Sequence, residues 1–322
     1  MDVLTTIENR MQAIVTNPGS DPRFIITEYP IPEPAPNQAL IRVTAFSLNQ
    51  GEVRTAISAT AKYIPGWDFA GVITKAASNG NSPKEGTRVF GFVPQGAWAE
   101  YIVAGGAQMA TIPDDVSDAQ AASLPVAAGT AVTCIEAVGS LLNRRVLITG
   151  AAGGVGRILC QLTAMAGAKV FAVSRRPNLK QQLEDDGVMP HAVFETIEEA
   201  KIAEKYDVVF DSIGGHVLAL ALSMLPASGI CVNFGNSSRQ ATTFNVRSAE
   251  WPFHRKQLVF LGPEVPADCT AVFTHIAELV KQKRLHTPVD KELPWTNIAE
   301  AAELVVQQKV NGKIVLKVLS ST

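Results

Sequence analysis

Cysteine is scarce in this chain, and its first 133 residues contain neither cysteine nor histidine. The four cysteines, Cys134, Cys160, Cys231 and Cys269, stand singly with no Cys-x-x-Cys pair. A disulfide framework or a cysteine-rich zinc site is therefore not expected, and the thiols read as buried packing groups. All five histidines, at 191, 216, 254, 275 and 286, follow Cys134. A catalytic zinc needs about three protein ligands and an open fourth position, and the stretch before Cys134 offers it no thiolate and no imidazole. Net charge is also lacking: the formal value is -2, which gives no general field for nucleic acid or an anionic membrane. Long apolar runs are missing too. The uncharged run Ala119 to Ile135 contains Pro125 and Gly129, is shorter than a membrane span, and reads as buried helix. The opening "MDVLTTIENRMQAIV" has no basic segment followed by an apolar run, so it does not resemble a secretory leader, and cytoplasm is the expected compartment.

What is present is apolar-rich and glycine-rich: 47% hydrophobic residues, 18% charged and 24 glycines in 322 residues, the balance of a globular α/β protein. From about Gln12 to Pro113 short β-like runs such as "RFIITEYPI", "ALIRVTAFSLN" and "TRVFGF" alternate with proline, glycine and asparagine turns, which predicts a mostly antiparallel β domain. After Leu142 the pattern becomes strand then helix, repeated: "RVLITG", "KVFAVS", "HAVFE", "YDVVFDSI" and "GICVNFG" alternate with helical segments. Continuously apolar strands of this kind belong to a parallel sheet covered on both faces, so a doubly wound α/β fold is expected. A sixth strand is read at "LVFLG", then helices near 271–284 and 298–308 and a last strand, "GKIVLKV". The expected boundaries are residues 1–120 for the β domain, completed by about 265–322, and 121–264 for the doubly wound domain.

The segment "VLITGAAGGVGRILCQLTAMAGAKVFAV" sets Gly150, Gly153, Gly154 and Gly156 between an apolar strand and a helix. Glycines let the backbone approach a pyrophosphate, and the free N–H groups of the helix start hold its charge. Gly150, Ala152, Gly153, Gly154 and Val155 are accordingly candidate cofactor contacts. At the end of the next strand an acid would accept hydrogen bonds from the 2'-hydroxyl of NAD and repel a 2'-phosphate. This chain has Ser174, Arg175 and Arg176 there. A hydroxyl and two planar guanidinium forks suit a phosphate dianion, so NADPH rather than NADH is the expected cofactor, with Lys180 the next basic candidate.

Eight motifs in order, "SLNQGEVR", "PGWDFAGVI", "GTRVFGF", "GAWAEYIV", "LPVAAGTA", "TGAAGGVG", "VVFDSIGG" and "GKIVLKV", give the chain from about residue 10 onward its resemblance to the medium-chain dehydrogenase/reductase superfamily, closest to the zinc-free, zeta-crystallin-like quinone oxidoreductases. The resemblance implies a GroES-like β domain beside a Rossmann domain. The superfamily's zinc enzymes carry a cysteine before the loop that here reads "LNQGEVR", and Gly-His-Glu where this chain has Gly66, Trp67 and Asp68. No metal is expected. The implied chemistry is hydride transfer from NADPH to a small electrophilic acceptor, a quinone or an α,β-unsaturated carbonyl. An enoyl-thioester reductase and a non-catalytic NADPH-binding protein are the alternatives.

By the same resemblance Asn49 lies near the nicotinamide and donates to a developing oxyanion, or else is a turn residue capping local backbone. Tyr63 faces the substrate or packs as an aromatic. Arg54 stands where many quinone reductases have tyrosine, which suits an anionic acceptor or a solvated surface. Thr130 lines the nicotinamide pocket or only packs. Phe234 and Gly235 end the fifth strand at the cofactor crevice, and Lys313 lies close to the cofactor or on the surface. His254 and Arg255 are read as a surface loop, Trp67 and Trp98 as structural. The strand from Leu258 to Gly262 resembles the one that pairs with its two-fold mate, so a homodimer is expected.

Overall fold

The computed structural model describes residues 10–203, 205–244, 256–262 and 268–318; His254 and Arg255 lie outside them. In chain order the elements are β1 (Arg10–Thr16), β2 (Phe24–Pro30), β3 (Gln38–Ser47), α1 (Gln50–Ile57), β4 (Asp68–Lys75), β5 (Arg88–Phe92), β6 (Tyr101–Gly105), β7 (Met109–Thr111), α2 (Asp118–Ala122) and α3 (Pro125–Glu136). There follow β8 (Arg145–Thr149), α4 (Gly154–Met165), β9 (Lys169–Val173), α5 (Leu179–Asp185), β10 (Ala192–Phe194), α6 (Ile197–Ala203), β11 (Val208–Asp211), α7 (Gly215–Met224), β12 (Ile230–Asn233) and β13 (Gln257–Phe260). The chain closes with α8 (Thr270–Lys281), β14 (Val289–Pro294), α9 (Ile298–Val306) and β15 (Lys313–Lys317). It divides into two compact units, 1–129 with 266–283 and 287–322, and 130–265 with 284–286, the division falling inside α3.

The first unit is built on a seven-stranded sheet ordered β14-β15-β3-β4-β5-β7, with β6 on β3, and a two-stranded ladder of β1 and β2. All its pairings are antiparallel except β14 with β15. Alternation along β3 buries Ala39, Ile41, Val43 and Ala45, as a strand with one face on a core requires. Ala39, Ile41 and Val43 share that core with Phe46, Phe69, Ile73 and the fully buried Trp98, whose ring packs against Phe24 and Phe46 at centroid distances of 5.6 and 5.9 Å.

The second unit holds a parallel six-stranded sheet ordered β10-β9-β8-β11-β12-β13. From β8 the chain winds outward through β9 and β10, then returns past β8 to lay down β11, β12 and β13. The strand order reverses between β8 and β11, the switch point outside whose carboxyl edge ligands of such sheets bind. Valines, leucines and isoleucines of β8, β9 and β11 are buried on both faces.

Two segments differ from the sequence reading. The run Ala119 to Ile135 is not one helix but α2 and α3, parted at Ser123 and Leu124. Pro125 is the reason: it disfavours helical geometry in the residue before it and is well suited to opening the next helix. "SLNQGEVR" is not a loop, since Gln50 to Ile57 form α1 with Asn49 as N-cap. Among the described residues no helix is long and apolar enough to cross a membrane.

Candidate functional site

In the first unit, β15 lies antiparallel beside β3 with Val315 opposite Ser47, and Leu48 donates its N–H to the Ile314 carbonyl at 3.0 Å. This pairing brings Lys313 beside Asn49, at the start of α1, and Asp68, at the start of β4. Asp68, Glu52, Lys313 and Asn49 are 0, 2, 4 and 9% exposed, so two carboxyls, one ammonium and one amide form a single buried quartet. Lys313 Nζ donates to Asp68 Oδ2 at 3.0 Å and to Asn49 Oδ1. Asp68 Oδ2 also accepts from Asn49 Nδ2 at 2.8 Å and Ser47 Oγ at 2.7 Å, and Asp68 Oδ1 accepts the Val126 N–H at 2.9 Å. Glu52 reaches back over the start of its own helix. Its Oε1 accepts the Asn49 backbone N–H at 2.6 Å and the Asn49 amide at 3.1 Å, while Oε2 accepts the Trp67 N–H at 2.7 Å.

The electrostatics follow from burial. One ammonium faces two acids, and Glu52 carries the mismatch. Its carboxyl is pushed up to about 8 by burial and then by the charge of Asp68, against the opposing pull of Lys313 and the Asn49 hydrogen bonds. Glu52 is therefore mostly protonated at neutral pH, with Oε2 keeping a lone pair beyond the Trp67 bond for the proton. The unfolded chain releases this proton near 4.5 while the fold retains it to about 8, so this site's contribution to stability falls as pH rises through that window. Glu52→Gln removes the titration but turns an amide nitrogen toward a backbone or amide donor, a mismatch of about 1–3 kcal/mol. Urea unfolding should show a less stable variant whose deficit narrows between about pH 5 and pH 8; a deficit constant across that range would contradict the buried neutral acid.

Both hydrogens of the Asn49 amide are engaged by Glu52 and Asp68, and its oxygen by Lys313. In this arrangement Asn49 and Lys313 are fixed parts of the quartet. Tyr63 is half-buried against the core of the same unit. Its backbone is held to Thr16 by Tyr63 N–H to Thr16 Oγ1 and Thr16 N–H to the Tyr63 carbonyl, both 3.0 Å. Its hydroxyl has no hydrogen-bond partner among the described residues, and burial, then the charge of Glu52, raise its pKa above the usual tyrosine value. It stays a proton donor. Arg54 lies half-buried in the last turn of α1.

In the second unit the strand, turn and helix around Gly150 are formed as a nucleotide requires. Gly150 has a φ of 61°, and a side chain there would collide with Ser212 Oγ. At Gly156 a Cβ would lie 2.7 Å from the Ala151 Cα and closer still to the Gly150 carbonyl oxygen, so helix and turn can touch only because residue 156 is glycine. Gly153 is the N-cap of α4. The first intrahelical bond runs from the Arg157 N–H to the Gly153 carbonyl, 2.9 Å, so the N–H groups of Gly154, Val155 and Gly156 precede it and remain for an anion. Ala152 is buried beneath the turn.

Beyond β9, Ser174 Oγ accepts the Arg176 N–H at 3.1 Å and shapes the turn; Arg175 is exposed and Arg176 half-buried. Phe234 and Gly235 follow the carboxyl end of β12 on the same edge of the sheet, both half-buried. Lys180, on α5, is exposed and lies 3.9 Å from Glu184. Thr130 is half-buried within α3. The structure thus gathers Asn49 and Lys313 in one unit, and the glycine turn, Ser174, Arg175, Arg176, Phe234 and Gly235 along one sheet edge of the other.

Sequence reasoning did not single out Glu52, and it treated Asp68 only as a replaced position. Asn49 followed three residues on by Glu52 is the pattern of a helix start in which the acid reaches back to the N-cap, and that local signal was sufficient to find α1 and Glu52. No local signal pairs either acid with Lys313.

A Rossmann unit and a GroES-like unit in one chain are the parts of a dehydrogenase-type oxidoreductase that uses a pyridine nucleotide. Residues 35–114 match the family described as alcohol dehydrogenase GroES-like domain, and residues 185–316 the family described as zinc-binding dehydrogenase. A chloroplastic quinone-oxidoreductase homolog from Spinacia oleracea is 30% identical over 314 residues, covering 90% of this chain and 92% of that one. The quinone oxidoreductase of Coxiella burnetii shares the fold, with a TM-score of 0.83 at 24% identity over 96% of this chain and all of that one. A mycocerosic acid synthase-like polyketide synthase of Mycobacterium tuberculosis is 24% identical over 335 residues; this chain spans 98% of its own length but only 16% of that protein. The chain belongs to the medium-chain dehydrogenase/reductase superfamily, among its quinone oxidoreductase-like members.

Zinc, which one family description names, does not fit the residues present. The first unit's buried acids are already bonded to backbone, to Asn49 and to an internal ammonium. Among the described residues no group of three or more His, Cys, Asp or Glu side chains is placed to hold a metal. The nucleotide does fit, on the glycine turn and the free N–H groups of α4.

Proposed function

We propose that this protein is an NADPH-dependent reductase of quinones or α,β-unsaturated carbonyl compounds that works without zinc. The observation that carries the reading is the pair Arg175 and Arg176, held by Ser174 at the end of β9 beside the glycine turn, a setting suited to a 2'-phosphate. When bound, the reduced nicotinamide supplies a hydride. The residues of the chain do the rest: the start of α4 holds the pyrophosphate, the arginines hold the 2'-phosphate, and the Tyr63 hydroxyl, kept protonated, donates to the acceptor oxygen. Because its amide is fully engaged, Asn49 acts by holding the quartet rather than by donating to the acceptor. An acceptor that is already electrophilic needs no Lewis acid to polarise it, which agrees with a site whose cation is a lysine.

NADPH consumption tests the reading, measured with a quinone panel, an enone panel and no acceptor, before and after chelation. Turnover with either panel, unchanged by chelator, is expected; tight NADPH binding with no turnover would leave a nucleotide-binding protein instead. A second reading, reduction of an enoyl thioester, is favoured by the similarity to a segment of a polyketide synthase, and adding a crotonyl thioester to the panel separates the two.

A homodimer joined through β13 is part of the proposal. This strand is an edge of its sheet, with Leu258 and Val259 half-buried and Phe260 67% exposed, and an open apolar edge invites pairing with a second copy. Light scattering should give the mass of two chains at micromolar concentration; a monomer mass there counts against the pairing.

A further inference from the structure

We infer that Asp211, at the carboxyl end of β11, is a positioning residue for the nucleotide turn, fixing from beneath the three loops that meet at the switch point of the sheet. The inference rests on reading the second unit as the nucleotide site. Asp211 is fully buried, and among the described residues no basic side chain pairs with it. Its partners are neutral donors from three strand ends. Thr149 Oγ1, the last residue of β8, donates to Oδ1 at 2.6 Å; the Ile213 and Gly214 N–H groups of its own loop donate at 3.3 and 2.9 Å; and Asn233 Nδ2, the last residue of β12, donates to Oδ2 at 2.8 Å.

A buried carboxylate without a counterion is costly unless such donors surround it, so each donor is constrained to point inward and its loop is constrained with it. Thr149 immediately precedes Gly150. The Ser212 N–H donates to Thr149 Oγ1 at 3.2 Å and Ser212 Oγ to the Thr149 carbonyl at 3.3 Å. Ser212 is the residue whose hydroxyl fills the place of a Gly150 side chain. On the other flank Asn233 Nδ2 also donates to the Gly235 carbonyl at 2.9 Å, and the Ser237 and Ser238 N–H groups donate to the Ser212 and Ile213 carbonyls at 3.0 and 2.9 Å. One carboxylate thus sets the turn after β8, the loop after β11 and the loop after β12. It touches none of the groups that would meet the 2'-phosphate, Ser174, Arg175 and Arg176.

That separation shapes the test. Asp211→Asn keeps size and shape but places an amide nitrogen against inward-pointing donors. Fluorescence titration of the purified, folded variant should show NADPH and NADH both bound about tenfold more weakly, by the same factor, with turnover at saturating nucleotide within about twofold of wild type. Thr149→Val, which removes one donor and leaves the carboxylate, should shift both nucleotides in the same direction by a smaller factor, and it decides the matter if Asp211→Asn does not fold. Wild-type affinity for both nucleotides in a folded variant, accompanied only by a lower melting temperature, would make Asp211 merely structural and overturn the inference. Failure of the wild-type protein to bind either nucleotide would overturn the underlying reading, and the inference with it.

Discussion

The double variant Arg175→Ala, Arg176→Ala is expected to lose most of its preference for NADPH, with NADH binding nearly unchanged. A hydrogen bond to a charged group contributes about 1.5–3 kcal/mol, and about 1.4 kcal/mol is tenfold in affinity. Each effective guanidinium should thus be worth roughly ten- to hundredfold toward NADPH. The single variants should fall short of the double, because Arg175 is exposed and Arg176 half-buried on one short turn, and either fork can swing to cover for the other. Added salt should weaken NADPH more than NADH, since partly exposed ion pairs are screened. Dissociation constants for both nucleotides, at low and high ionic strength, check all of this. A double variant that keeps its selectivity would place the phosphate elsewhere, with exposed Lys180 the first residue to try.

A comparable loss, of stability rather than affinity, is expected from Lys313→Met. Removing one partner of a buried ion pair strands the other and typically costs about 3–5 kcal/mol. Here Asp68 loses its cation, and the Asn49 oxygen loses its donor. Lys313→Met with Asp68→Asn should recover a large part of the deficit, because the site is then neutral; Asp68→Asn alone should be less damaging than Lys313→Met, because Glu52, relieved of the Asp68 charge, is left as a counterion for the ammonium. Chemical denaturation of the four proteins gives the coupling directly. If Lys313→Met alone were as stable as wild type, the ammonium would not be neutralising Asp68 as the geometry implies.

The two units were not equally legible. Parallel strands buried on both faces are written as continuous apolar runs, so β8, β9, β11 and β12 stand out in "RVLITG", "KVFAVS", "YDVVFDSI" and "GICVNFG", and the glycine turn lies wholly within one local strand-turn-helix. The break between α2 and α3 was masked because residues 119–135 are uniformly uncharged and the run was read by composition, whereas Pro125 decided it. The quartet was hidden for another reason. Glu52 and Asp68 are separated by a turn and by Trp67, and Lys313 is 245 residues from Asp68. Only the pairing of β15 with β3 brings them together. Asp211 stands within "VVFDSIGG", yet nothing local in that motif pairs it with Thr149 and Asn233, because only the sheet brings the ends of β8 and β12 to it.

The same long separation governs the order in which the protein is assembled on the ribosome. The Rossmann unit is continuous but for residues 284–286, so its strands can pair as they emerge, and domains generally fold as units from the N-terminal side during synthesis. The first unit cannot follow that schedule. Its β3 is made before the Rossmann unit and its partner β15 after it, so Asn49, Glu52 and Asp68 must wait through the synthesis of that unit for Lys313. A carboxylate without its ammonium resists leaving water. Asp68 gains its buried counterion only when β15 arrives behind the Rossmann unit, so the closing of this earlier-made sheet waits on a later-made lysine.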